Sequence, residues 1–163
     1  MASGDTLAVF TPLSNEPPAS NFATPDTRNG HLVLDFDPAI NESAVFSGVM
    51  PRNYGGGGLT VYIHYSMTSA IVNTVDWDVS FERIGDGSQD IDIDGFASAQ
   101  SVDNSTVPGT SGHVDIVNVA FTDGAQMDSI AAGESFRLKL TRDAVSDNAT
   151  GDAEFHKIEI KET

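Results

Sequence analysis

Three carboxylates with regular spacing are the residues best placed to do chemistry. Asp76, Asp78 and Glu82 alternate with apolar residues, so in a β-strand all three lie on one face. Neighbours two residues apart in a strand are about 6.6 Å apart, within the range for paired glycosidase carboxylates. Any solvated strand face carries side chains at this spacing. Glycoside hydrolysis is therefore a minor interpretation, and the sequence predicts no catalytic residue and no enzyme.

A second run of carboxylates, Asp90, Asp92 and Asp94, is followed by Gly95 and matches the opening of a calcium-binding loop. The twelfth position is Ser101, where such a loop has a bidentate Glu, and flanking helices are not evident. The intervening isoleucines also suit an edge strand with a charged outer face. We favour the edge strand. The sequence thus predicts no metal ion and no cofactor, with these aspartates as weak calcium candidates.

Histidines and aromatic residues complete the set of candidates. The four histidines, His31, His64, His113 and His156, are dispersed without metal-ligand spacing, which favours half-exposed structural roles in strands. The rings of Tyr54, Tyr62, Tyr65 and Trp77 are suited to stacking on a sugar. A noncatalytic carbohydrate-binding module is for this reason more credible than a glycosidase.

Two alternating segments must position these residues. Leu59, Val61, Ile63 and Tyr65 share one face of the first segment, and Val75, Trp77, Val79 and Phe81 share one face of the second. This period of two is typical of strands with one face in a core. In the first segment, Tyr62 and His64 fall on the outer face. The glycines Gly55 to Gly58 before it predict a tight bend or a close backbone approach.

Together with these two segments, the chain shows about eight short strands separated by turn signals and hardly a helix. Val114 to Phe121 and Phe155 to Ile160 each change phase, as a bulge would in sequence. We predict an all-β, antiparallel, jelly-roll-like sandwich. An immunoglobulin-like sandwich is the alternative, although the cysteine pair that would support it is missing.

The first thirty residues differ from the remainder. They hold four of the seven prolines, with scattered apolar residues such as Phe10 and Phe22. Because proline prevents helix formation and lacks a backbone donor, we expect an extended segment. We predict a Pro-rich N-terminal arm over residues 1–30, docking on its own domain or on a neighbour, and a single β-sandwich domain over residues 31–163.

Composition limits the partners. The 163 residues include no cysteine and carry 24 acidic against 8 basic side chains, giving a net charge of −16. Such a surface repels phosphate backbones, so we expect no direct nucleic-acid binding. No apolar run approaches membrane-spanning length and no secretory signal is evident, which predicts folding in the cytoplasm and no membrane partner.

Several motifs resemble those of small, mostly uncharacterised virion proteins of tailed bacteriophages. They are Asn15 to Thr24, Leu34 to Asp37, Gly48 to Arg52 and Phe81 to Arg83, and the similarity extends over nearly the whole chain. The resemblance implies a virion component and, specifically, a capsid cement (decoration) protein that assembles as a homotrimer. It implies no catalytic residue.

These expectations define a first hypothesis and an alternative. In the first, the protein binds the major capsid protein of the assembled particle, lies on the capsid exterior and stabilises it. The interface candidates are then Phe10, Phe22, Tyr62 and His64. In the alternative, it is a carbohydrate- or receptor-binding module of a phage head fibre or tail. Exposed aromatic residues would favour sugar binding, and aromatics buried between subunits would favour the structural role.

Overall fold

The protein is built almost entirely from β-strands. The computed structural model describes residues 4–163. Ten strands span these residues, and their bounds are Thr6–Phe10 (β1), Thr24–Arg28 (β2), His31–Phe36 (β3), Glu42–Val49 (β4), Leu59–Met67 (β5), Thr74–Ile84 (β6), Gln100–Thr106 (β7), Asp115–Phe121 (β8), Ser135–Arg142 (β9) and Ala153–Glu162 (β10). Short 3₁₀ helices cover Pro12–Ser14 and Ala125–Met127. Within the described part of the chain, no helix has the length and apolar character to span a membrane.

The strands form two antiparallel sheets. The six-stranded sheet has the order β2-β3-β10-β5-β8, with β1 also paired to β10, and the four-stranded sheet has the order β4-β9-β6-β7. The two pack face to face as a jelly-roll sandwich, which confirms the predicted fold class. Strand β10 lies at the centre of the larger sheet, where one of its edges pairs with β5 and the other is shared by β1 and β3.

The core lies between the sheets, on the faces that alternation predicted. The apolar residues of β5 and β6 named above are all fully or nearly fully buried. Aromatic rings link the sheets: Trp77 of β6 packs edge-on against Phe36 of β3 and Tyr65 of β5, with ring centroids 5.1 and 5.5 Å apart. Such contacts add about 0.5–1.5 kcal/mol each beyond the area that they bury.

One buried ion pair lies within this apolar interior. Arg142, at the end of β9, has no exposed side-chain surface, and Asp147 is almost as buried. The guanidinium donates to both carboxylate oxygens of Asp147, at 2.8 and 3.2 Å. It also donates to the carbonyl oxygens of Phe36, Ala149 and Gly151, at 2.8–3.1 Å. Because its hydrogen bonds are well satisfied, this buried charge ties the loop before β10 to the sandwich.

From Gly4 onward, the N-terminal segment docks on its own domain as strands of the sandwich, which is one of the two predicted alternatives; residues 1–3 of the predicted arm lie outside the described residues. Strand β1 pairs with β10, and β2 pairs with β3. Phe10 lies in the core with 8% of its surface exposed, and its ring stacks on Phe46 at 5.5 Å. The segment's prolines are compatible with an edge strand: Pro25 lies in β2, at the edge of its sheet. The predicted boundary at residue 30 falls in the turn between β2 and β3.

Two details of the backbone settle other predictions. A Cβ added to Gly58 would lie 2.5 Å from the carbonyl oxygen of Phe121, which confirms a close backbone approach. The register of β10 against β5 shifts between Phe155 and Lys157, which confirms the predicted bulge. In contrast, β8 pairs with β5 without interruption, so its change of phase is not a bulge. Strand β8 is an edge strand, and its Ile116 is exposed.

Candidate functional site

The outer face of the six-stranded sheet carries a row of side chains centred on Tyr62. Asn118 of β8 and Glu159 of β10 are the cross-strand partners of Tyr62, and Val9 of β1 is the next partner along. We call these four residues the tyrosine row. Tyr62 is half-buried, Asn118 and Val9 are exposed, and the Nζ atom of Lys161 lies 5.9 Å from the centroid of the Tyr62 ring. The row therefore presents an aromatic face beside an amide, a carboxylate and an ammonium group.

A groove opens next to this row, where β10 changes neighbours. Strand β3 pairs with β10 over residues 153–155 and β1 pairs with it over residues 158–161, so the edge at residues 156–157 is free of both. The bulge lies at this point. The recess, which we call the histidine groove, has a volume of about 460 Å³ and is lined by Thr11, Pro12, Leu13, His31, Leu32, His64, Val114, His156 and Lys157.

A second recess adjoins the first and shares three of its residues. We call it the arginine groove; its volume is about 310 Å³, and it is lined by Arg28, Asn29, His31, Gly112, Val114 and His156. Because His31, Val114 and His156 line both recesses, the two form one continuous depression across β3, β10 and the segment before β8. Its walls combine apolar side chains with nitrogen-containing side chains.

A hydrogen-bonded chain supports the wall between the two grooves. Arg28 donates to Glu154 at 2.6 Å and to the Ser111 hydroxyl at 2.8 Å. The Ser66 hydroxyl donates to the same carboxylate oxygen of Glu154 at 2.9 Å and lies 2.8 Å from Nε2 of His156. Glu154 is buried, so its charge is enclosed by these partners. The chain fixes the position of the His156 ring.

Burial sets the charge state of this histidine. Loss of solvent lowers the pKa of His156 below its ordinary value, and the nearby cationic or titratable groups His31, Arg28 and His64 lower it further. The carboxylate of Glu154 opposes them by favouring the protonated ring. The neutral form of His156 is hence favoured in the folded protein.

Three histidines that are far apart in the sequence lie close together in the fold. His31, His64 and His156 come from β3, β5 and β10, and all three line the histidine groove. Sequence reasoning missed this convergence because the order of these strands in the sheet is not encoded in their alternation. The phase slip near Lys157 was the available signal, since bulges are enriched next to functional sites, where they redirect a side chain.

The three spaced carboxylates of β6 have structural partners. Asp76 accepts the backbone N–H of Asn104 at 2.5 Å, and Asp78 accepts the Ser101 hydroxyl at 2.5 Å. Glu82, which is 2% exposed, pairs with Arg137. They lie on the outer face of the four-stranded sheet, and none of them lines either groove. The geometry gives no support to a glycosidase pair.

The second acidic run does not form the predicted edge strand. Asp90, Asp92 and Asp94 lie on turns in which the backbone N–H groups of Ile93 and Asp94 donate to the carbonyl of Asp90. The Asp90 carboxylate accepts the N–H of Asp92 at 3.0 Å. These local hydrogen bonds compete with strand pairing, which explains the error. Among residues 4–163, no three carboxylate or histidine groups are grouped to hold a metal ion.

The aromatic and interface candidates divide by exposure. Tyr54, Tyr65 and Trp77 are buried within the protomer, which removes three of the four proposed stacking rings and leaves Tyr62. Tyr62 and His64 lie on the outer face, as alternation predicted. The interface assignment of Phe10 is wrong, because its ring fills the core, whereas Phe22 is 42% exposed.

Comparisons with known proteins place the fold. No protein-family model matches the sequence, and no curated protein matches it. Among solved structures, the C-terminal CBM6 module of LamC, a marine laminarinase from Zobellia galactanivorans, has a TM-score of 0.57 at 13% identity, over 97% of this chain and 100% of that chain. A family 35 carbohydrate-binding module from an environmental isolate has a TM-score of 0.53 at 14% identity, over 95% and 93%. At these identities the similarity establishes the fold alone.

Proposed function

We propose that this protein is a carbohydrate-binding domain that holds a glycan against the outer face of its six-stranded sheet. The observation that carries the proposal is the tyrosine row beside the histidine groove. Ligand sites typically combine an apolar or aromatic surface with a few polar groups that fix orientation. Tyr62 supplies the ring, and Asn118 and Glu159 supply hydrogen-bonding groups on either side of it.

The geometry suits a sugar because the polar groups are held in place. The Thr6 hydroxyl donates to Glu159, which orients that carboxylate on the sheet surface. Lys161 lies over the Tyr62 ring, at a distance typical of a cation–π contact. The pyranose C–H face would pack on the ring while its hydroxyls bond to Asn118 and Glu159. The resemblance of the fold to solved CBM6 and CBM35 modules supports the same proposal.

Replacing the ring tests the proposal directly. We expect Tyr62→Ala to weaken retention on a panel of soluble polysaccharides about tenfold or more, because stacking and hot-spot aromatics contribute at least about 1.4 kcal/mol. Affinity gel electrophoresis measures the retention. The matched control is Phe96→Ala, since Phe96 lies in the loop between β6 and β7 and its ring packs on Arg137 and Lys139 of the other sheet. Equal retention of Tyr62→Ala and the unchanged protein would contradict the proposal.

A second proposal, attachment to a phage capsid as a cement protein, draws on the sequence resemblance and on one surface. Leu13 is 85% exposed and Phe22 is 42% exposed. Phe22 lines an apolar recess of about 330 Å³ together with Pro12, Pro17 and Pro25. Exposed apolar surfaces of this kind are typical of protein–protein contacts. On this proposal the partner is the major capsid protein, and the bound form is a homotrimer.

Purified virions distinguish the two proposals. A cement protein should be present in a fixed copy number relative to the major capsid protein. Light scattering should show a trimer in solution. Phe22→Ala should weaken particle binding and leave polysaccharide retention intact. Absence of the protein from virions would remove the capsid proposal without affecting the carbohydrate proposal.

A further inference from the structure

The continuous depression formed by the two grooves has an unusual charge for this protein. Five of its side chains are basic, and they are Arg28, His31, His64, His156 and Lys157. Neither groove is lined by Asp or Glu, although acidic side chains outnumber Lys and Arg by 24 to 8 over the chain. Three of the four histidines meet there. A site with this composition selects anions over neutral ligands.

We propose that the depression binds a saccharide that carries carboxylate or sulfate groups. The inference rests on the proposed carbohydrate-binding function and specifies its ligand class. Apolar side chains favour a saccharide over a small inorganic anion, because Pro12, Leu13, Leu32 and Val114 offer surface for C–H groups. The anionic group then lies among the histidines and Lys157.

The positive charge is not cancelled from within the groove. Lys157 is exposed and forms no ion pair within residues 4–163. Glu154, the nearest buried carboxylate, lies behind the wall and is shared between Arg28 and Ser66. Arg28 is consequently largely compensated, and the charge available to a ligand comes from Lys157 and the histidines.

This arrangement predicts binding that depends on pH. Histidine side chains change charge between about pH 5 and 8, and a bound anion favours their charged form. By linkage, the saccharide should bind more tightly as the pH falls through that range. Burial, together with the neighbouring His31, Arg28 and His64, holds the pKa of His156 below its ordinary value against the effect of Glu154, so this ring becomes charged only toward the acidic end of the range.

The experiment compares charged and neutral forms of the same polymer on the full chain. Isothermal titration calorimetry at pH 5.5 and pH 8.0, in 0.15 M salt, would use polygalacturonate and its methyl ester, and dextran sulfate and dextran. We expect the charged polymers to bind about tenfold more tightly at pH 5.5 than at pH 8.0. Preference for polygalacturonate or for dextran sulfate identifies the anionic group. The net charge of −16 disfavours nonspecific attraction of either polyanion.

Matched variants locate the site. Lys157→Gln and the double change His31→Gln with His64→Gln should each reduce binding at pH 5.5 about tenfold, because each removes charge that faces the anion. The controls are His113→Gln, which changes the fourth histidine outside the grooves, and Lys139→Gln on the other sheet. Circular dichroism confirms that each variant is folded. Both controls should bind like the unchanged protein.

Three outcomes would overturn the inference. Equal loss in the control variants would show general charge attraction and not a site. Binding of dextran or methyl ester alone, without pH dependence but sensitive to Tyr62→Ala, would reject the anionic ligand and leave the proposed function intact. Binding of neither charged nor neutral saccharides, here and on the wider polysaccharide panel, would reject both.

Discussion

At the scale of single residues, buried charges differ in whether they have an opposite partner. Arg142 and Asp147 neutralise each other, and three backbone carbonyls satisfy the remaining donors of Arg142. Asp35 of β3, in contrast, lies among other carboxylates. Burial, and after it the neighbouring carboxylates Asp152, Asp26 and Glu154, together raise the pKa of Asp35 from 3.8 to about 6. Ionised Asp35 is therefore a cost to the folded protein.

The cost of Asp35 should be visible as a dependence of stability on pH. Between about pH 4 and 6, the Asp35 carboxyl is protonated in the folded state and ionised in the unfolded state. The free energy of unfolding therefore increases as the pH falls through this range. Above pH 6, where both states are ionised, the full penalty remains. We expect Asp35→Asn to raise the free energy of unfolding at pH 7 by about 1 kcal/mol, after allowance for solvent screening.

Urea unfolding at several pH values measures this effect. The advantage of Asp35→Asn should disappear near pH 4, where the wild-type carboxyl is protonated in the folded state. Asp86→Asn, at an exposed position, is the control for a general change in charge. An advantage of Asp35→Asn that is the same at pH 4 and pH 7 would contradict the assignment.

At the scale of strands, the N-terminal segment shows how far sequence patterns can be taken. Alternation correctly assigned the inner faces of β5 and β6 because a period of two determines which side chains share a face. It did not assign β1, which pairs with β10 at the other end of the chain, or β2, a short strand that forms a hairpin with β3 across Asn29 and Gly30. The partner of β1 depends on long-range packing, so the sequence showed only prolines with scattered apolar residues, which indicated an arm.

Truncating Phe10 tests whether this segment belongs to the core. We expect Phe10→Ala to lower the free energy of unfolding by about 3–5 kcal/mol, because a buried ring is lost and a cavity remains beside Phe46 and Phe136. Leu13→Ala, three residues later and 85% exposed, should change it by about 0.5 kcal/mol or less. Denaturant unfolding measures both. Similar small effects would restore the arm as the correct description.

The candidate site, too, could be predicted only in part from local sequence patterns. Tyr62 and His64 were placed on the outer face, but the groove depends on β3, β10 and β5 being neighbours and on the bulge in β10. Strand order is set by how the whole chain packs. No local pattern relates His31 to His156, which lie at opposite ends of the sequence.

At the scale of the whole molecule, charge repulsion opposes the compact state. Only eight Lys and Arg side chains face 24 Asp and Glu side chains, and at least four of the basic groups are already held in ion pairs. Most acidic groups must then repel one another across the surface. Folding concentrates this charge, so its free-energy cost depends on ionic strength.

Salt should therefore stabilise the protein. We expect the melting temperature to rise by about 3–6 °C between 10 mM and 0.5 M sodium chloride, which corresponds to about 1–2 kcal/mol for a chain of this size. The screening length falls from about 30 Å to a few ångströms over this range, so the increase should level off. Differential scanning calorimetry measures it. A melting temperature that falls with salt would mean that attractive ion pairs outweigh the repulsion.

The pairing of β1 with β10 also determines how the domain responds to mechanical load. Thr6 is paired with Lys161, the backbone N–H of Gly4 donates to the carbonyl of Glu162, and the N–H of Glu162 donates to the carbonyl of Asp5. Both ends therefore lie side by side at one end of an antiparallel pair. Tension between the ends loads these hydrogen bonds one after another and peels β1 away. Each bond contributes only about 0.5–1.5 kcal/mol, so the strand should detach at low force. When the two ends are pulled apart, β1 therefore separates from β10 before the rest of the sandwich unfolds, and Phe10 leaves the core as the two strands separate.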